Sequence, residues 1–250
     1  MDRLQLDKNA KLTGRVYFKD EVMWLGLSGS GASFTFDGTK LVLKLKGDNI
    51  AVGDNPIDYA RIAVYVDGTR VVDEMINCAE KEVTVIDRTE NAQSVVEIIK
   101  LSESPMSAVG IEAFAEGSAE ALPLKKEFIG DSITCGYGVD DEDENHQFTT
   151  ATEDVTKAYA YKTAKALDAE YSMFSASGYG IVSGYTEGDE PISEQTIPQF
   201  YCSYGFSRGN FAGTAPQDIP WDFSKYIPQI IVINLGTNDD SYCRDHKDRQ

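Results

Sequence analysis

Three short blocks carry residues that could do chemistry together: Gly130-Asp131-Ser132, Ser177-Gly178-Tyr179-Gly180 and Gly236-Thr237-Asn238-Asp239. Acyl transfer needs a nucleophilic hydroxyl and donors aimed at the oxyanion of a tetrahedral intermediate. Ser132 offers the hydroxyl and, at the start of a helix, its own backbone N–H. Gly178 offers a second N–H where a side chain would block approach, and Asn238 offers a side-chain amide. Each block has an ordinary reading by itself, because Gly-Asp-Ser and a glycine after a strand are turn formers and Asn-Asp is a common cap. The blocks lie 46 and 60 residues apart, each behind its own apolar run, and that joint arrangement is far more specific than any one of them.

For these residues to meet, three strands must end side by side. In an open α/β sheet ligands gather at the carboxyl ends of the strands, where loops and helix N-termini converge. EFIG, YSMFSAS and IIVIN supply the strands. The run Ile230 to Ile233 is apolar without alternation, the pattern of a parallel strand covered on both faces. Between the first two strands, EDVTKAYAYKTAKALD places Val155, Tyr159 and Ala166 at helical spacing, with Thr152 as the N-cap. The long connection from Ser183 to Tyr226 is expected to hold a short helix around ISEQTIPQF. It is rich in aromatic residues, Tyr185, Phe200, Tyr201 and Phe206 among them, which either pack the loop down or line a ligand cleft. The expectation is a three-layer α/β domain.

From Arg15 to about Glu116 the pattern differs. RVYF, ASFTF, KLVLKLK, ARIAVYV, EVTVI, SVVEIIKL and VGIEAF are short runs of β-branched and aromatic residues, many alternating with period two. They read as a β-sandwich, with Asp37-Gly38 and Asp67-Gly68 as turn dipeptides between paired strands. Near EGSAEALPL, residues 116–124, alternation fades into small residues and a proline, as in a linker. The division expected is a sandwich over residues 1–119 and an α/β domain over 120–250.

A formal charge of -18 and the absence of any Lys/Arg cluster argue against nucleic acid as partner. The same charge disfavours anionic membranes, and no apolar run is long enough to span one. Cys78, Cys135, Cys202 and Cys243 are far apart without a C-x-x-C pair, so free buried thiols are expected rather than structural zinc. MDRLQLDKNA lacks the pattern of a signal peptide, so the chain reads as cytoplasmic, or as secreted if a leader was removed. The acidic run Asp140 to Glu144 lacks the alternating ligands and central glycine of an EF-hand, and is read as a solvated loop.

FIGDSIT, SGYG and GTND resemble the first three signature blocks of the SGNH (GDSL-type) hydrolases. FIGDSITCGYG, TATEDVTKAYAY and INLGTNDDSYC are most similar to carbohydrate esterase family 2. The resemblance implies a jelly-roll β-sandwich followed by a flavodoxin-like hydrolase domain. It also implies a serine esterase that removes O-acetyl groups from plant polysaccharides or oligosaccharides, without metal or other cofactor. Ser132 would be the nucleophile, and Ser132, Gly178 and Asn238 would form the oxyanion hole. The family's catalytic His belongs to a later block, and no such block follows GTND before Gln250. The domain is therefore expected to be C-terminally truncated, with its general base outside the chain and IIVIN left near a poorly covered edge. His146, in an acidic loop, and His246, beside Asp245 but without the family's surrounding block, are weak substitutes. Two rival functions are a glycan-binding protein with a remnant hydrolase domain, and an esterase acting on a lipid or thioester.

Overall fold

The computed structural model describes residues 1–120 and 127–244. Nine strands make up the first part: β1 (Asp2–Leu4), β2 (Lys11–Thr13), β3 (Val16–Lys19), β4 (Val22–Leu25), β5 (Gly31–Gly47), β6 (Ala60–Val66), β7 (Thr69–Ile76), β8 (Glu80–Lys100) and β9 (Val109–Glu120), with one short helix, α1 (Leu6–Asn9). They form one hydrogen-bonded sheet in the order β3-β4-β9-β5-β8-β6-β7, with β1 on β9 and β2 on β5.

The sequence segments ASFTF and KLVLKLK, expected as separate strands, are the single 17-residue β5, and EVTVI and SVVEIIKL are likewise one strand, β8. Phe34 and Phe36 are buried in the first half of β5, and Leu41, Leu43 and Leu45 in the second. The parity changes across the register shift between Gly38 and Lys40. An extra residue in a strand exchanges its two faces, so the bulge lets both halves feed one core. That core joins them to Met23, Ile62, Ile98 and Ile111. Asp37-Gly38 is thus not a turn. Its glycine is needed because a Cβ there would lie 2.2 Å from the Glu116 carbonyl oxygen. Asp67-Gly68 does close the β6–β7 hairpin, with φ of 50° and 78°, the left-handed pair that a two-residue turn requires.

β9 continues to Glu120, paired with β5, so residues 116–120 of the expected linker are strand. Residues 121–124 lie outside the described residues.

The second sheet has three parallel strands, β10 (Glu127–Gly130), β11 (Ser172–Ser175) and β12 (Ile231–Asn234), in the order β11-β10-β12. Helices α2 (Ser132–Cys135), α3 (Tyr159–Ala166), α4 (Ile197–Phe200) and α5 (Thr237–Cys243) complete this part. The α4 turn is the short helix expected in the long connection. The α3 helix starts later than expected and Thr152 does not cap it. Thr152 ends a short 3-10 turn, and a second such turn follows over Val155–Lys157, where the Asp154 side chain accepts the Thr156 N–H at 3.0 Å. Asp154 is also held by Arg70 of β7 at 2.7 Å, which fixes the chain before a continuous helix can begin. β12 is parallel as expected but not covered on both faces: it pairs with β10 alone, and Ile231 and Ile233 are 52% and 64% exposed.

The two sheets share cores. Ala63 and Ile99 of the first, with Leu101 just after β8, pack with Phe128 and Met173 of the second and with Val155 and Ala160 beside it, and Leu27, in the β4–β5 connection, packs with Ile129 and Phe174. Arg15 is fully buried between them, donating to the carbonyls of Tyr201 (2.6 Å) and Ser203 (2.5 Å), with its guanidinium 4.3 Å from the Phe174 ring centre. Of the cysteines only Cys135 is buried, correcting the expectation of buried thiols; Cys78 and Cys243 are half-buried and Cys202 is exposed.

Candidate active site

Strand register brings the three blocks to one edge. Gly130 of β10 pairs with Ser175 of β11 on one side and with Asn234 of β12 on the other. Ser132, Gly178 and Asn238 therefore follow the carboxyl ends of three adjacent strands by two, three and four residues.

Each block has a local reason for its shape. A Cβ on Gly130 would lie 2.0 Å from the Thr134 hydroxyl, so only glycine lets α2 fold back against the strand end. The Asp131 carboxylate accepts the Ile133 N–H at 3.1 Å, its carbonyl accepts those of Thr134 and Cys135, and left-handed Gly136 (φ 82°) ends the turn. Ser132 is the first residue of this single helical turn and is half-buried, not sealed in the core. Burial pushes the Asp131 carboxyl above its ordinary range, and the nearby Asp239 charge adds to the shift.

Gly178 has φ +79°, and an added Cβ would meet no atom within 4 Å. Backbone conformation, not crowding, requires glycine here, and the space beside it is open. The Tyr185 N–H donates to the Gly178 carbonyl at 2.8 Å. Asn238, the second residue of α5, is buried and donates through Nδ2 to the Tyr179 carbonyl at 2.8 Å. That bond ties the loop after β11 to the helix after β12. It uses one of the two amide hydrogens and orients the other. Asp239 fastens the same loop further on, its carboxylate accepting the N–H groups of Ile181, Val182 and Ser183 at 2.9, 2.6 and 3.1 Å.

His146 is exposed in the acidic loop, with Nδ1 2.8 Å from Asp141 and Nε2 3.9 Å from Asp143. His246 lies outside the described residues. The acids of the loop serve its own shape: Asp140 pairs with Arg61 and Lys157, and Asp141 and Asp143 accept backbone N–H groups of the loop. Most aromatics of the long connection are packing residues: Tyr204 and Phe211 are buried, and Phe200 stacks on Phe206, which the Tyr179 ring meets at a tilt. Tyr185 is exposed.

A buried polar cluster lies against α2, and no motif or spacing marks it in the sequence. Lys100, Glu103, Cys135 and Glu153 are all fully buried. Burial raises the Glu103 and Glu153 carboxyls and the Cys135 thiol, and lowers Lys100 to about 8 against the pull of Glu153 and Asp48. Among the described residues, Glu103, Cys135 and Glu153 bring ligand-type atoms within 4.8 Å of one another and are the set that could hold a cation. Burial favours protons on all three groups, and the Lys100 ammonium already supplies positive charge.

Residues 12–124 match the family model described as carbohydrate esterase 2 N-terminal. The chain is 31% identical over 218 residues to the cellulase/esterase CelE of Acetivibrio thermocellus, across 85% of this chain and 24% of that protein. The chain is related to carbohydrate esterase family 2. An acetylxylan esterase/glucomannan deacetylase of Cellvibrio japonicus is 28% identical over 246 residues, across 93% of this chain and 62% of its own length. A solved family 2 esterase from Clostridium thermocellum, in complex with cellohexaose, aligns with a TM-score of 0.75 at 28% identity, over 93% of this chain and 67% of that one. This chain spans less than two thirds of the length of these curated relatives. The likeness to SGNH-type family 2 esterases expected from IGDSIT, SGYG and GTND therefore extends along nearly the whole chain.

Proposed function

We propose that the complete protein is a carbohydrate esterase that removes O-acetyl groups from polysaccharides or oligosaccharides through an acetyl-Ser132 intermediate. The Ser132 oxygen attacks the acetyl carbonyl carbon and its proton passes to a histidine base from outside the described residues. The oxyanion is held by the N–H groups of Ser132 and Gly178 and by the free amide hydrogen of Asn238. Collapse expels the sugar oxygen, which takes the proton from the imidazolium. Water, deprotonated by the same base, then releases acetate and restores the serine. We read the nine-stranded first sheet as the jelly-roll domain of this family, and the boundary near residue 120 as the join to the hydrolase domain.

The observation that carries the reading is the placement of three chemically complementary blocks at one edge of a parallel sheet, with Asn238 already oriented by the Tyr179 carbonyl. The relatives' names, acetylxylan esterase and cellulase/esterase, support acetylated glycan as the substrate class. In the full-length protein, Ser132→Ala is expected to lower acetate release from acetylated xylan by at least about 1,000-fold. Full activity in that variant would remove Ser132 from the mechanism.

A further inference from the structure

We propose that Glu103, contributed by the first sheet's trailing segment, is a positioning residue for the oxyanion hole: its carboxylate fastens the loop carrying Gly178 to the helix carrying Ser132. The proposal rests on the esterase reading above. Glu103 Oε2 accepts the Ser177 N–H at 2.5 Å and the Cys135 thiol at 3.4 Å. Ser177 immediately precedes Gly178, and Cys135 lies one turn after Ser132 on α2. One carboxylate oxygen thus bridges the two elements that present the nucleophile and the second backbone donor.

The bridge is itself held firmly. The Glu103 N–H donates to Glu153 Oε2 at 3.0 Å, and Lys100 Nζ donates to the carbonyls of Ser102 (2.6 Å) and Glu103 (3.1 Å). On either side, the Val155 N–H donates to the Leu101 carbonyl at 3.3 Å and the Ser104 hydroxyl donates to the Phe206 carbonyl. Segment 100–104 is therefore wedged into the second part of the molecule and has little freedom to move. Both side chains are fully buried, where no water competes with the donors that their oxygens accept.

The loop needs such an anchor. Gly178 imposes the least conformational preference of any residue, and nothing packs where its side chain would be. The direction of its N–H depends on what holds the peptides around it. Downstream the loop is held at the Gly178 carbonyl by Tyr185 and at the Tyr179 carbonyl by Asn238. Upstream, Glu103 holds the Ser177 N–H. A donor misplaced by an ångström loses most of its value to an oxyanion, so a loose upstream anchor should appear as lost rate rather than lost binding.

The test uses the full-length protein with Glu103→Met, which fills the volume without an acceptor, and Glu103→Gln, which restores an acceptor oxygen without charge. The Met variant keeps the volume and removes the acceptor, leaving the Ser177 N–H unpaired, so some loss of stability is expected beside the lost rate. For Glu103→Met, kcat on an acetylated oligosaccharide is expected to fall roughly 10- to 100-fold with KM within about twofold, since a displaced donor costs no more than a deleted one. Amide exchange at Ser177 and Gly178 should accelerate about tenfold or more while the β5 and β8 amides keep wild-type rates. Glu103→Gln should recover most of both losses. Unchanged kcat and exchange in Glu103→Met, or exchange accelerated uniformly across both sheets, would overturn the proposal. If Glu103→Met does not fold, the unaltered protein decides: Ser177 N–H should exchange at least about 100-fold slower than a free amide, and an unprotected Ser177 overturns the anchor. Failure of the esterase reading would appear separately, as wild-type turnover that does not depend on Ser132, with the exchange pattern still reporting on the anchor.

Discussion

The two sheets differ most sharply in how they are covered. In the first, Leu41, Leu43, Leu45, Ile62 and Ile98 are sealed in one core. In the second, β10 and β11 bury Phe128, Met173 and Phe174 against residues of the first sheet, while β12 leaves Ile231 and Ile233 on the surface. The strands that carry Ser132 and Gly178 are thus supported from the first sheet, through Ile99, Leu101 and Leu27. The strand that precedes Asn238 rests on one neighbouring strand among the described residues, on Val232 and Leu235, and on the side-chain ties of Asn238 and Asp239. The first sheet acts as part of the scaffold of the site, while the β12 side, exposed at Ile231 and Ile233, is held by the packing of Val232 and Leu235 together with polar contacts.

The largest effect that would sharpen this contrast is a cavity at the shared core. Leu101→Ala should destabilise the protein by about 2–5 kcal/mol, because a fully buried leucine that joins both sheets leaves a void on removal. Chemical denaturation checks it, and a loss below about 1 kcal/mol would mean the sheets are not packed as one unit. On the polar side, Asn238→Ala should lower kcat roughly 100- to 1,000-fold, the usual cost of an oxyanion donor.

A subtler effect concerns protons. Burial holds the Glu153 carboxyl well above its ordinary range, so between the unfolded pKa, about 4.3, and the raised folded value the native state keeps a proton that the unfolded chain has lost. Stability from this group is therefore fully present below about pH 4.3 and declines as pH rises through the folded pKa. Glu153→Gln should flatten that decline, so the variant gains on the parent protein as pH rises above about 4.3. A gain that runs the other way would mean Glu153 is ionised in the native state. The smallest effect belongs to β12: Ile233→Lys should change stability by no more than about 0.5 kcal/mol, as expected of an exposed position, and should lessen self-association of the edge.

Much of this was legible in the sequence because local chemistry and global placement agreed. IGDS, SGYG and GTND each follow a strand, and each strand was visible as an apolar run. Asp67-Gly68 was legible for the same reason, its residues suiting the left-handed turn they adopt. Asp37-Gly38 misled because the same dipeptide can serve a bulge, where the glycine answers to the Glu116 carbonyl across the sheet rather than to a turn. Thr152 misled because the helix start is set by Asp154 and its distant partner Arg70. Glu103 could not be seen at all. Its segment, SESPM, reads as an ordinary loop, and its partners Cys135, Glu153 and Ser177 are 32, 50 and 74 residues away. Contacts of that range leave no periodicity and no spacing signal.

The most direct measurement is a crystal structure of the full-length protein with a boronic acid bound to its serine as a tetrahedral adduct. The boron should be bonded to the Ser132 oxygen, with one boronate oxygen about 2.7–3.1 Å from both the Gly178 N–H and the Asn238 amide. Boron bonded elsewhere, or an oxygen pointing away from Gly178 and Asn238, would contradict the account.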